Sequence, residues 1–405
     1  MKYDLLVVGA GPAGSMAAFH AAKLGLKTLI LEEHSQPGQP LHCAGKLSLK
    51  AFNEFNLPSS LILNSVRGAF IHSPGGLEIQ VSKKNFDSHV IDREALDRLL
   101  LKRALDAGAE ARFKAKVKRV SFLQPSGVSA VGEGFQVEGR LLVLAEGASG
   151  RLREALGFPR LPKVKGLQIE VEGFPLRRKD FVEVLLGNRF FPGFFGWVIP
   201  AGQRRVRLGL AVRENLKASP RFFLEKALKE HPYLSRKAGN LKALRAYGGF
   251  IPLHGPAGKT WHPRGVFLVG DAAGQVKSTT GGGVYFSLLA GRLAGEAAAQ
   301  TLENEPLKAL KGYEKAWRKA FGRELSFTSK VRKMLDSLSD GDLDLLFRLA
   351  ANPRILETVE AYGDTAYQSK VFQPLVRAGL LEALKKPEDA FKAVKILIKA
   401  LKGLI

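Results

Sequence analysis

The chain has 405 residues, enough for two or three subdomains with a sizeable core. Its single cysteine excludes an intramolecular disulfide framework, and no charge-free apolar run of about 18 residues predicts a membrane-spanning helix. The formal charge of +24 predicts attraction to acidic partners. Zinc-ligand spacings, aromatic RNA-binding runs and basic heptads are not found, so we expect neither a metal site nor a specific nucleic-acid partner.

The N-terminal segment predicts a nucleotide-binding turn. An apolar strand from Tyr3 runs into Gly-Ala-Gly-Pro-Ala-Gly, followed by a helical pattern and a second strand that ends at Glu32. Glycines in this order allow a tight turn, close approach of a pyrophosphate and close helix–strand packing, and the acid can accept from ribose hydroxyls. The candidate ligands here are Gly9, Gly11, Pro12, Ala13, Gly14, Glu32 and Glu33. A ligand-free turn is the alternative, and this segment does not separate NAD from FAD.

A later segment favours FAD. A strand over 265–269 runs into Gly270 and Asp271, and Gly281, Gly282 and Gly283 precede a helix predicted from Val284 to about Leu302. An acid at a strand end can accept from a ribityl hydroxyl, while a glycine-rich helix start offers free N–H groups to negative charge. Small residues at 291, 294, 295 and 298 predict that this helix lies close to the sheet. A buried helix-capping aspartate is the alternative for Asp271.

The glycine turn, the stretch Asp-Arg-Glu-Ala-Leu-Asp-Arg-Leu over 92–99 and the run from Gly270 to Val284 together resemble the glutathione-reductase-type flavoproteins, in the branch of para-hydroxybenzoate hydroxylase. Within it, the chain most resembles the geranylgeranyl reductase family. The details are Cys43-Ala44-Gly45, the segment Phe-Gly-Trp-Val-Ile-Pro over 195–200, Gly-Gly-Phe-Ile-Pro over 248–252, and the residues from Gln275 to Gly283. The resemblance covers roughly residues 1–330.

This resemblance implies FAD as the cofactor and reduction of prenyl double bonds as the activity. It implies that Arg93 contacts the pyrophosphate or ribityl region. The family's Ala-Asp-Gly is replaced here by Ala145, Glu146 and Gly147, so only a general placement near FAD is implied for them. The resemblance also favours Cys43 as a participant in the reaction, with Cys43, Ala44 and Gly45 beside the cofactor.

The pattern predicts an α/β fold with an α+β part. Residues 1–65, 90–155 and 245–330 are expected to form a discontinuous Rossmann-type FAD-binding domain. Residues 66–89 and 156–244 alternate as strands of an antiparallel substrate domain, and residues 331–405 are helical, broken at Asn352-Pro353 and Lys386-Pro387. Gly132 and Gly134 predict a hairpin turn rather than a second nucleotide site.

The charge and the C-terminal segment concern partners and location. Met1-Lys2 leads directly into the first strand, so we expect no signal peptide and a cytoplasmic protein. Lysines occupy one face and aliphatic residues the other over 390–405, which is typical of a helix in a lipid interface or of one that covers the protein's own core. Peripheral contact with an anionic membrane at its inner face and a well-solvated basic surface are therefore both open.

Saturation of an unactivated alkene requires a hydride, which flavin N5 can supply, and a proton. Proton delivery should lead and build carbocation character, which aromatic faces stabilise. We expect Trp197 and Phe195 to line this site, with Phe191 and Phe194 nearby; core packing is the alternative. Cys43 and Tyr247 are the candidate proton donors or polar orienting groups, His42 less so.

Three functions compete. The favoured one is an FAD-dependent reductase of a prenyl lipid, prenyl diphosphate or quinone side chain, with NAD(P)H or reduced ferredoxin as the electron donor. The second is an aromatic monooxygenase or halogenase, which Phe195 weakens because halogenases commonly have Trp at that position. The third is a non-catalytic basic flavoprotein that binds anionic surfaces.

Overall fold

A computed structural model of the chain describes residues 2–256, 258–300, 306–375 and 377. Its strands are β1 Tyr3–Val8, β2 Thr28–Leu31, β3 Lys46–Ser48, β4 Ile62–Val66, β5 Gly68–His72, β6 Glu78–Ser82, β7 Ser88–Ile91, β8 Glu110–Arg112, β9 Val117–Phe122, β10 Val128–Gly132, β11 Phe135–Leu144, β12 Lys163–Glu172, β13 Phe181–Leu185, β14 Gly196–Pro200, β15 Arg205–Arg213, β16 Lys242–Pro252, β17 Trp261–His262 and β18 Val266–Leu268. Its α-helices are α1 Pro12–Lys23, α2 Leu49–Phe55, α3 Arg93–Asp106, α4 Arg151–Ala155, α5 Pro220–Glu230, α6 Val284–Gln300, α7 Pro306–Trp317, α8 Arg323–Asp336, α9 Asp340–Ala350 and α10 Pro353–Tyr362. The predicted mixed fold class is confirmed.

The chain divides into two compact units. The first contains the residues up to Leu41, then Asp92–Pro162 and Ile251–Ser326. The second contains His42–Ile91, Lys163–Phe250 and the residues from Phe327 onward. The predicted domain boundaries at 65, 90, 155, 245 and 330 stay predictions, and the amphipathic segment 390–405, Lys386-Pro387 and Leu302 lie outside the described residues.

The first unit is built on an eight-stranded sheet with the order β17-β18-β11-β1-β2-β8, to which β10 and β9 are added beside β11. Strand β1 pairs in parallel with both β2 and β11. The order of connection therefore reverses at β1, and ligands of open parallel sheets bind at the carboxyl ends of strands at such a point. Strands β10 and β11 form the predicted hairpin, with Gly132 opposite Phe135.

Helices α1 and α6 cross closely in this unit. A Cβ atom at Gly291 would lie 2.4 Å from the Ala13 carbonyl oxygen, and one at Gly295 would lie 2.4 Å from that of Ala17. The prediction that these glycines allow α6 to pack closely on the sheet was therefore wrong. The element that packs against them is helix α1.

The second unit contains a seven-stranded sheet with the order β16-β12-β15-β14-β13-β5-β6 and a three-stranded sheet with the order β3-β7-β4. Strand β15 shows why its two faces differ. Val206, Leu208, Leu210 and Val212 enter an apolar core that includes α5, whereas the alternate residues include Arg207 and Gly209 on the opposite face. That opposite face carries the polar residues of the candidate site.

Helix α5 was missed by the prediction, which read the whole of 156–244 as strands and turns. The hydroxyl of Ser219 accepts from the backbone N–H of Phe222, and Pro220 occupies the first turn. These are start signals for a helix. The predicted break at Asn352-Pro353 coincides with the N-cap of α10, where the Asn352 side chain accepts from the Arg354 N–H.

Candidate functional site

The first unit brings the predicted nucleotide-binding glycines together at one end of β1. Gly9 has φ +101°, and a Cβ on Gly14 would lie 1.9 Å from the Gly9 carbonyl oxygen. Apart from its chain neighbours, no atom lies within 4 Å of the Cβ position of Gly11, and no side chain caps the helix that begins at Pro12. The described residues therefore leave an open, N–H-rich cradle before α1, which fits a pyrophosphate.

Two other segments contact this turn. A Cβ on Gly9 would lie 2.4 Å from the Ala145 carbonyl oxygen, and one on Gly270 would lie 2.8 Å from the Ala13 Cβ. The carboxylate of Glu146 accepts from the backbone N–H groups of Leu152 and Arg153 at 3.0 and 2.7 Å. This acid is therefore committed to the start of α4, and the segment 145–147 meets the glycine turn through its backbone.

The carboxylate of Glu32 is buried beside the same turn. Its Oε2 accepts from the Ala10 N–H at 2.7 Å, and its Oε1 accepts from the His34 N–H at 2.9 Å. A carboxylate offers about four acceptor positions, so the group can still accept from a ribose. Glu33 is exposed and pairs with Lys116, whose hydrogen bond lowers the pKa of that carboxyl.

Asp271 lies three residues after the end of β18 in the first unit. Burial of its carboxyl raises the pKa to about 6, and the nearby Arg93 acts in the opposite direction. A Cβ on Gly283 would lie 3.1 Å from Asp271 Oδ1, so the glycines before α6 pack directly on this acid. The Nη2 of Arg93 donates to both carboxylate oxygens of Asp97, at 3.0 and 3.1 Å. The structure thus joins the early turn, Asp271 and the helix that begins at Val284 in one site, and these residues fit an extended FAD.

The second unit brings the other candidates together on the polar face of its large sheet. Trp197, Gly209 and Gln168 form one row across β14, β15 and β12. A Cβ on Gly209 would lie 2.7 Å from the indole ring, so only glycine lets the ring cross β15. The indole N–H then donates to Gln168 Oε1 at 2.6 Å.

This hydrogen bond begins a one-directional chain. Gln168 Nε2 donates to the Tyr247 hydroxyl at 2.5 Å, and that hydroxyl donates to Glu170 Oε1 at 3.2 Å. Burial raises the pKa of Tyr247 to about 12. Burial also acts to raise the pKa of Glu170, but hydrogen bonds from Arg245 and Arg207 outweigh it and hold the pKa at about 2. Glu170 is therefore an ionised anchor at the end of the chain.

The loop with Cys43 lies in the same unit. Cys43 is partly buried, and its Sγ accepts from the Gly45 N–H at 3.3 Å. His42 is exposed, with its Nδ1 2.8 Å from the Gly248 carbonyl oxygen. Ala44 and Trp197 both pack against the apolar cluster that contains Val66, Val90, Val182, Ile199 and Ala201.

The aromatic residues before β14 separate into two groups. Phe195 is partly buried and meets the Trp197 ring edge to face at 5.9 Å. Phe191 instead lies in the apolar core on the other face of the sheet, and Phe194 is 4 % exposed. The expectation that Phe191 lies near the site is therefore wrong, because the turn before β14 directs it behind the sheet against Gly196.

Sequence reasoning missed Gln168, Glu170 and Arg207. Each is at most 3 % exposed, yet each is polar and stands on a mainly apolar strand. That pattern is a detectable signal, because buried charges need partners. Among the described residues, no cluster of three or more metal-ligating side chains occurs, and every helix is too short or too polar to cross a bilayer.

Comparison with known proteins identifies the class. The family model described as "Lycopene cyclase protein" matches residues 4–351. A geranylgeranyl bacteriochlorophyll reductase-like protein from Thermoplasma acidophilum superimposes with a TM-score of 0.81 at 25% identity, over 97% of this chain and 99% of that one. A flavin-dependent brominase has a TM-score of 0.67 at 18% identity, over 89% and 92%, and shares the fold. The chain is an FAD-dependent oxidoreductase of this fold.

Its sequence relatives are more specific. A digeranylgeranylglycerophospholipid reductase from Methanopyrus kandleri is 32% identical over 374 residues, covering 89% of this chain and 93% of the relative. One from Methanothermobacter thermautotrophicus is 33% identical over 368 residues, covering 86% and 91%. The chain belongs to the lycopene cyclase protein family and, within these relatives, to the geranylgeranyl reductases, which reduce carbon–carbon double bonds of prenyl chains.

Proposed function

We propose that this enzyme saturates geranylgeranyl chains attached to a glycerophospholipid. The observation that carries the proposal is the nearly full-length likeness to two reductases named for that lipid, at 32% and 33% identity. Because these relatives are named for a glycerophospholipid, a lipid is favoured over a free prenyl diphosphate or a quinone side chain. Bound FAD, once reduced, supplies the hydride.

Trp197 is the residue we assign to the alkene. Its ring is fixed by the hydrogen bond to Gln168 and by the edge-to-face contact with Phe195. Protonation of an isolated alkene builds positive charge on carbon, and an aromatic face stabilises such charge by about 0.5–2 kcal/mol. A ring locked in one orientation offers this stabilisation without first losing rotamer entropy.

Cys43 is the residue we assign to proton delivery. Tyr247 is a poorer candidate, because burial raises its pKa to about 12 and its hydroxyl proton is directed to Glu170. A thiol is ordinarily a stronger acid than a phenol. Tyr247 therefore orients Gln168, and through it the indole, while the exposed imidazole of His42 holds the Gly248 carbonyl.

Anaerobic single turnover tests the activity. The purified enzyme is reduced with dithionite, excess reductant is removed, and digeranylgeranylglyceryl phospholipid is added. We expect flavin absorbance to return, and the lipid mass to rise by two hydrogens for each bond reduced. The variant C43A should keep FAD and lose most of the turnover, whereas C43S, which retains a protic group, should keep more. Flavin that stays reduced in the presence of the lipid contradicts the proposal.

The electron donor is proposed to be an acidic electron-transfer protein of the ferredoxin class. The charge of +24 is the support, because opposite charges steer association. Stopped-flow reduction by reduced ferredoxin should slow steeply as salt rises. Reduction by NADPH at the turnover rate contradicts this choice and favours the nicotinamide donor.

Peripheral attachment to the inner face of an anionic membrane completes the proposal, and the same charge supports it, since cations near such a surface gain about 1 kcal/mol each. Co-sedimentation with phosphatidylglycerol vesicles, but not with phosphatidylcholine vesicles, is expected. Equal recovery with both kinds of vesicle contradicts it.

A further inference from the structure

Arg207 is a buried charged side chain to which the proposed chemistry gives no role. It is 1% exposed and is the third residue of β15. Its Nε donates to Glu170 Oε1 at 2.9 Å. Its Nη1 donates to two backbone carbonyl oxygens, those of Ala44 at 2.8 Å and Ile91 at 3.1 Å. One guanidinium thus joins the seven-stranded sheet of the second unit to the loop that carries Cys43.

The loop is shaped around this guanidinium. Gly45 has φ +78°, and a Cβ there would lie 2.3 Å from Arg207 Nη1 and 2.8 Å from the Ile91 carbonyl oxygen. The Gly45 carbonyl accepts from the Ile91 N–H at 2.9 Å, and its own N–H points to Cys43 Sγ. The Ala44 carbonyl and the Gly45 N–H belong to one peptide group, so the guanidinium and the Cys43 thiol contact the same peptide from its two sides.

We propose that Arg207 is a positioning residue, which sets the orientation of the Cys43 thiol and ties it to the Trp197 ring. The tie runs from the loop through Arg207 to Glu170, and from Glu170 through Tyr247 and Gln168 to the indole. The proposal rests on the roles given above to Cys43 and Trp197. Lysine does not replace arginine here, since an ammonium is a point charge and lacks the planar fork that reaches a carboxylate and two carbonyls at once.

A purely structural role is the competing explanation, because buried ion pairs occur without any function and replacing them is often tolerated. Thiol labelling separates the two explanations. Cys43 is the single cysteine of the chain, so all labelling of the holoenzyme reports on this residue, independently of turnover. Labelling with iodoacetamide, followed by intact mass, therefore measures the loop directly.

We expect R207K to change the labelling rate of Cys43 about tenfold, as loss of a charge-assisted hydrogen bond would. The matched control is R245K, which alters the other arginine on the same carboxylate, Glu170, at 42% side-chain exposure; its labelling rate should stay within about twofold of the parent's. A parental labelling rate in R207K, at a temperature where circular dichroism shows it folded, overturns the proposal.

Two further measurements cover the remaining outcomes. If R207K does not fold, E170Q removes the negative charge that holds the guanidinium and should still change the labelling rate; unchanged labelling in E170Q counts against positioning. With lipid substrate, R207K should reduce turnover by a smaller factor in the C43A background than in the parent, because the part of its effect that acts through Cys43 is already lost there; an equal factor in both backgrounds counts against action through Cys43. Full turnover in C43A would refute the proposed role of Cys43, while the labelling result would still decide whether Arg207 holds the loop.

Discussion

We expect the ionised carboxylate of Asp271 to destabilise the FAD-free protein at neutral pH and to strengthen the binding of FAD. Burial raises its pKa from the ordinary 3.8 to about 6, so at neutral pH the folded state holds a carboxylate in an environment that disfavours the charge. Replacement of the acid in D271N removes that charge but keeps the shape. We expect the FAD-free variant to be more stable than the parent at neutral pH, and to bind FAD more weakly.

The magnitude and its pH dependence follow from the same shift. Two pKa units correspond to about 3 kcal/mol. The Asp271 carboxyl binds its proton more tightly in the folded state than in the unfolded state. Its contribution to the stability of the parent is therefore complete below pH 3.8 and is lost as pH rises through about 6. D271N should therefore melt higher than the parent at about pH 7.5, by up to about 10 °C for a unit of this size, and the difference should vanish near pH 4.

Differential scanning calorimetry of FAD-stripped protein at both pH values measures this difference. The control is D106N, because Asp106 is 61% exposed and pairs with Lys102 on the outside of α3; its melting temperature should move little at either pH. A D271N variant no more stable than the parent at about pH 7.5 would refute the reasoning, because the carboxylate would then be stabilised by its surroundings.

Three further changes have defined outcomes. G14A places a methyl group 1.9 Å from the Gly9 carbonyl oxygen, so the purified protein should lose its yellow colour, and its flavin absorbance per chain checks this. W197F leaves the buried Gln168 amide without its indole donor, which should cost about 1–3 kcal/mol in urea unfolding and reduce turnover. In E170Q the carboxylate with a pKa of about 2 is removed; the parent's advantage, about 3 kcal/mol above pH 4.5, should fade as pH falls towards 2, and acid unfolding curves of both proteins measure it.

The sequence made the cofactor site predictable, since its parts are local. Gly9 and Gly14 stand five residues apart on one turn, and the strand, helix and acid around them follow in chain order. The close backbone approach at this turn requires glycine at fixed positions within one short segment, so the requirement is visible in the sequence.

The polar chain of the second unit could not be predicted in the same way. Glu170 meets Arg207 across a ladder of an antiparallel sheet, and Tyr247 arrives from a third strand. Register between strands decides these neighbours, and a shift of one residue would send every side chain to the other face. The polar residues were visible as exceptions on apolar strands, but their partners were not. Helix α5 was missed because short apolar and polar alternation outweighed the start signal at Ser219.

Gly209 has no side chain, and this allows a side chain of β14 to reach a side chain of β12, although these two strands do not pair with each other. Strand β15 separates β14 from β12, and the indole passes over it only at this position. Any larger residue there would part Trp197 from Gln168 and remove the indole from the chain of hydrogen bonds that ends at Glu170. The absence of a methyl group at position 209 thus decides whether Trp197, Gln168, Tyr247 and Glu170 form one continuous chain of hydrogen bonds.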